Sequence, residues 1–134
     1  MFSFLKKASC IAGFSSTLQA CGMSKADARQ LVDLNPDFFT AVIDLTKSVT
    51  DQQRNIIVTI SYLELINSID ASFQSYLYEQ HASNGLKYQL IADSNWKEIG
   101  MAFNRVMHLI NGEKLMSEQE VEDAFEPSRL EIQQ

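Results

Sequence analysis

Apolar residues recur along most of this chain at steps of three and four, the period of a helix rather than the alternation of a strand. Over residues 2–20, Phe4, Lys7, Ile11, Phe14, Leu18 and Cys21 fall on one face, with Lys7 the single interruption, which predicts an amphipathic first helix. Ser24 and Asp27 form a variant capping box that opens a short helix to about Val32, with Leu31 and Val32 as its apolar contacts. Asn35-Pro36-Asp37 offers an N-cap, a first-turn proline and a carboxylate near unpaired amides, so a helix is expected from there through about Val49. Its inner face is Phe39, Val42, Ile43, Thr46 and Val49.

Thr50 and Gln53 make the next capping box and start a long central helix, expected from Asp51 to about Gln80 on Ile56, Ile60, Leu63, Ile66, Phe73, Tyr76 and Leu77. Between Asn55 and Tyr78 the sequence holds two charges, Glu64 and Asp70. Little of that surface therefore meets water unless Thr59 and the small polar residues beyond it form an outward face. The β-branched run from Ile56 to Ile60 suits a strand by propensity alone, but its flanks favour helix. Asn84-Gly85 reads as a stop. Leu86 to Ala92 and Asn95 to Ile110 then give a further helix, kinked or capped at Asp93-Ser94. Asn111-Gly112 is another stop, and Ser117 with Glu120 opens a short last helix to about Phe125, closed by Pro127. The fold class is all-α: a single bundle of four to five principal helices over residues 1–112, with a long central helix, followed by an acidic carboxyl-terminal segment, 113–134.

A length of 134 residues fits one domain, and 46% apolar with 21% charged residues is globular composition. The net charge of −6 repels nucleic-acid phosphates and is concentrated at one end. Seven acidic and two basic residues lie from Glu113 to Gln134, whereas the preceding 112 residues are almost balanced. Lys87, Lys97 and Arg105 are scattered and offset by acids, unlike the basic aromatic stripe of an RNA-binding surface.

No Asp or Glu precedes Asp27, and Lys6-Lys7 lead an apolar stretch ending Leu18-Gln19-Ala20-Cys21. This resembles a bacterial lipoprotein signal, with Cys21 as the lipidation site. The serines and glycine within the stretch, the apolar residues ahead of the lysines and Gln19 depart from that pattern, and the sidedness of the segment favours a packed helix. An organelle-targeting peptide is a third reading, weakened by the absence of Arg.

Little of the sequence suggests catalysis. His81 and His108 lack metal-ligand spacing, and Glu79 and His81 point to different sides of a helix. Cys10 is a small buried residue rather than a nucleophile, since its segment holds no base. Glu64 and Asp70 are about 240° apart around a helix, so each is expected to meet a cation or water rather than form an acid–base pair. Phosphate-cradling and hydrolase motifs do not occur. No cofactor and no enzymatic activity are expected. Tyr62, Phe73, Tyr76, Tyr78 and Tyr88 suit a core edge first and a partner-binding patch second.

The expected function is a non-enzymatic, cytoplasmic protein-binding module of bacterial type, such as an immunity protein, secretion accessory or adaptor. Its partner is another protein with a basic surface, met by Glu118, Glu120, Glu122, Asp123 and Glu126, with Tyr78 and Tyr88 as aromatic contacts. Glu118 and Glu122 are one turn apart and form a negative ridge. The alternatives are an envelope protein anchored to the membrane through Cys21 and a permanent subunit of a larger assembly.

Overall fold

The computed structural model describes residues 2–20, 22–34, 37–69 and 82–133. Seven helices lie within them: α1 (Phe2–Ala20), α2 (Lys25–Leu34), α3 (Phe38–Leu45), α4 (Asp51–Ile69), α5 (Ala82–Ile91), α6 (Trp96–Asn111) and α7 (Glu118–Gln133). The protein is all-α, and no strand occurs among the described residues. Asn35, Pro36, Cys21, Asp70, Phe73, Tyr76, Leu77, Tyr78, Glu79 and His81 lie outside the described residues.

The middle of α4 has no outward face. From Ile56 to Leu63 every side chain is buried, and Ile57, Val58, Thr59, Ile60, Ser61 and Tyr62 are fully so. A helix apolar around its whole circumference must be enclosed, and α1, α3, α5 and α6 all pack against α4. Burial also overrides the strand propensity of the β-branched run. Thr59 is thus an inward residue, correcting the expectation of a solvated face. Its hydroxyl donates to the Asn55 carbonyl at 2.8 Å, which removes the cost of burying it.

Tyr62 joins the first four helices. Its ring lies 4.8 Å from that of Phe14 on α1, and 4.9 and 5.3 Å from those of Phe38 and Phe39 on α3. The hydroxyl donates to the carbonyl of Leu31 on α2. Tyr62 therefore sits at the centre of the core, not at its edge.

On α1 the buried stripe is Cys10, Phe14 and Leu18, with Ile11 packed beside it. Phe4, expected on that stripe, is 72% exposed because the first two turns extend past the core. Farther along, α1 crosses α4 closely at Gly13, where the Asn55 side chain comes down on the glycine and its Nδ2 donates to Thr17 Oγ1 at 3.0 Å.

The capping signals largely hold. Ser24 Oγ accepts from the Asp27 amide at 3.1 Å, and the Thr50–Gln53 box closes in both directions at 3.1 Å. α3 is shorter than expected at both ends. It starts at Phe38, with Asp37 preceding it and making no side-chain cap, and stops at Leu45. Arg54 Nη2 binds the Thr46 carbonyl at 3.1 Å, Arg54 Nε binds Thr46 Oγ1 at 2.9 Å, and Arg105 Nε binds the Leu45 carbonyl at 3.3 Å. Two guanidinium groups thereby take up acceptors that further helical amides would have used. Thr46 and Val49 still reach the core through the turn that follows.

Asn84-Gly85 does not stop a helix: both lie inside α5. Gly85 has no left-handed backbone, and a methyl group in its place would meet nothing within 4 Å, so it marks no turn. The expected kink at Asp93-Ser94 is a complete break between α5 and α6. Asn95 spends its side chain on Gln53 rather than on a cap, in a paired amide contact with bonds of 2.8 and 3.0 Å. Gly112 ends α6 as expected, with φ +65° and its amide bound to the His108 carbonyl at 3.0 Å.

Phe14→Asp places a charge against Tyr62 and Phe39, where no cation waits among the described ring neighbours. Urea denaturation is expected to show a loss of about 3–5 kcal/mol. A loss below about 1 kcal/mol would contradict the packing of α1 on the core.

Candidate functional site

The last helix is where the excess charge and the packing meet. α7 opens with the expected box: Ser117 Oγ accepts from the Glu120 amide and Glu120 Oε1 from the Ser117 amide, each at 3.2 Å. It runs to Gln133, well beyond the expected end at Phe125, and Pro127 is inside it. Proline removes one amide and crowds the carbonyl four residues back. Here Pro127 and Asp123 are both exposed residues, a position at which water can replace the amide missing at the Asp123 carbonyl. The carboxyl-terminal segment is accordingly a docked helix of 16 residues, not a short helix with a tail.

Docking rests on two residues of α6 that face α7. Gly100 is the first: a methyl group there would stand 2.7 Å from Val121 Cγ1 and 3.1 Å from the Phe125 ring, so the glycine permits the close approach that fully buries Val121. The second is Asn104, itself buried. Its Nδ2 donates to the Lys114 carbonyl at 2.9 Å and its Oδ1 accepts from the Met116 amide at 2.8 Å, so one side chain fixes the connecting loop from both sides. His108 Nδ1 adds a 2.6 Å bond to the Glu113 carbonyl. Neither Gly100 nor Asn104 is among the residues expected to be functional. The signal for them is a glycine and an asparagine one turn apart on the face of α6 that otherwise carries Trp96, Phe103 and Met107.

The five acids divide by what they touch. Glu122 pairs with Lys97 across the α6–α7 interface, and the hydrogen bond to Glu122 is the main reason the Lys97 ammonium titrates above its ordinary range. Glu120 meets Lys114 Nζ at 2.6 Å. That bond first, and the Ser117 amide second, hold its carboxyl below the usual glutamate range. Glu118, Asp123 and Glu126 are exposed and make no ion pair among the described residues, although Asp123 accepts from Gln119 at 3.0 Å. The ridge of Glu118 and Glu122 is therefore half committed to holding the helix down: Glu122 pairs with Lys97, while Glu118 and Glu126 stay exposed and act on the same ammonium only through their field. Of the two tyrosines, Tyr88 is 55% exposed on α5, while Tyr78 lies outside the described residues.

Two of the cavities among the described residues bear on the chemistry. One of about 280 Å³ lies between α4, α5, α6 and α7, lined by Leu90, Trp96, Phe103 and Phe125, with Lys87 the one charged lining residue among those described. Lys87 is held 3.3 Å from Glu64, the pairing expected for that carboxylate, so the lining offers apolar contact rather than an acid–base couple. The other, about 260 Å³ between α1 and α4, is lined by Lys6, Cys10, Asp51, Arg54 and Asn55. Burial pushes the Cys10 thiol up to about 11, only partly opposed by Arg54, so at neutral pH it is a thiol and a poor nucleophile. Among the described residues no three His, Cys, Asp or Glu side chains converge to hold a metal ion, and no helix is long and apolar enough to cross a membrane.

Gly100→Ala tests the docking directly. On helix propensity alone it stabilises by about 1 kcal/mol. The contacts at Val121 and Phe125 reverse the sign, and thermal or urea unfolding is expected to show a net loss of about 1–3 kcal/mol. A gain in stability would mean that α7 does not seat on Gly100. Comparison with protein-family models, curated proteins and solved structures finds no match for this chain.

Proposed function

We propose that this protein is a non-enzymatic, cytoplasmic binding module that recognises another protein through the outward face of α7, where Glu118, Asp123 and Glu126 meet a basic surface. The observation that carries the reading is the combination of exposed acids outside any described ion pair and a fixed helix. The carboxylates that Lys97 and Lys114 neutralise are those that hold α7 in place, and the ones left exposed project from a helix already seated by Gly100, Val121 and Asn104. A preorganised cluster of like charges loses little ordering entropy on binding and raises the association rate of an oppositely charged partner. The broad class is that of a bacterial immunity protein, secretion accessory or adaptor.

A photo-crosslinking amino acid in place of Gln119, beside Asp123, is expected to capture a partner with a basic surface in cells, whereas the same group in place of the exposed Arg29 on α2 is not. Adding Glu118→Gln, Asp123→Asn and Glu126→Gln is expected to cut the yield of that adduct about tenfold or more, and to leave the melting temperature unchanged within a degree or two, because no described ion pair is broken. An undiminished adduct in the triple variant, or the same adduct from position 29, would overturn the acidic-face reading.

A further inference from the structure

We propose that the first two turns of α1 are a peripheral docking surface for an anionic lipid bilayer. The buried stripe of α1 begins at Cys10. Ahead of it Phe4 is 72% and Leu5 59% exposed, the two most exposed large apolar side chains described, and Lys6 beside them is exposed and Lys7 half-buried. Free apolar and cationic groups thus share one helix end, the pairing in which aromatic and aliphatic groups enter the boundary between headgroups and acyl chains while ammonium groups meet phosphates.

Charge distribution strengthens the assignment. No Asp or Glu precedes Asp27, and α1 packs against α2, α3 and α4, whereas the acidic α7 packs against α5 and α6. Among the described residues, the carboxylate that shares a cleft with Lys6 is Asp51, and it is held 2.5 Å from Arg54. The protein is therefore electrically lopsided, and its overall negative charge does not sit where α1 meets a surface.

Size decides between lipid and protein as the occupant. Two helical turns present a face about 12 Å long and 10 Å wide, far short of the roughly 800 Å² per partner of a stable protein interface. A bilayer needs no matching contour and accepts such a tip. No described helix is long and apolar enough to cross a membrane, and the contact proposed is with the bilayer surface. It involves a surface other than α7 and stands independently of the acidic-face reading.

Flotation of the full-length chain with vesicles of phosphatidylcholine, or of phosphatidylcholine mixed with phosphatidylglycerol, tests it. Binding is expected to the anionic vesicles alone and to fall as salt is raised. Lys6→Gln with Lys7→Gln is expected to lower partitioning about tenfold or more. Phe4→Ser with Leu5→Ser should lower it comparably without moving the melting temperature, since these side chains are exposed. Equal flotation with neutral and anionic vesicles, no flotation, or unaltered flotation of both variants overturns the proposal. Sedimentation equilibrium without lipid should give a monomer. A concentration-dependent oligomer dissociated by Phe4→Ser with Leu5→Ser overturns it in favour of self-assembly through the same tip.

Discussion

Four helices meet at one side chain. Tyr62 stacks on Phe39, meets Phe14 and Phe38 at tilted angles, and sends its hydroxyl to the Leu31 carbonyl. A tyrosine is the residue that can satisfy both demands, because its ring supplies large apolar area and its hydroxyl removes the penalty of a buried carbonyl lone pair. The other helices follow from its surroundings. The segment of α4 that holds Tyr62 is buried on all sides, so a second group of helices, α5 and α6, must close the remaining faces. α7 then packs on that second group.

This arrangement separates stability from the surfaces available for binding. The core is built from α1 to α6. The two proposed contacts are the outward side of α7 and the tip of α1, both of which extend past it. Polar residues in between act as fasteners: Arg54 and Arg105 pin the turn after α3, the Gln53–Asn95 amide pair ties the start of α4 to the start of α6, and Asn104 holds the loop into α7. Each orders a connection without adding apolar surface.

Local signals are legible in the sequence and long-range ones are not. The Thr50–Gln53 and Ser117–Glu120 boxes, the Gly112 stop and the bounds of α1 depend on residues within a turn of one another, and each holds in the structure. Thr59 reads as outward because a hydroxyl is cheapest in water, although helices far along the chain enclose it. Phe4 reads as inward because the period continues to it, yet no described helix covers it. Asn84-Gly85 and Pro127 are breakers by local chemistry that the surrounding helices override. The acidic face is visible as a cluster of charge. Which of its members are occupied is not, since Lys97 and Lys114 approach Glu122 and Glu120 only once α7 is docked.

The central claim is that the fold depends on the contacts Tyr62 makes, and urea denaturation of Tyr62→Ala beside Tyr88→Ala is its most direct measurement. Tyr62→Ala is expected to lose about 3–5 kcal/mol, or to leave no folded baseline, because a cavity opens where four helices meet. Tyr88→Ala, at an exposed position, is expected to lose no more than about 0.5 kcal/mol. Equal and small losses at the two tyrosines would contradict the account.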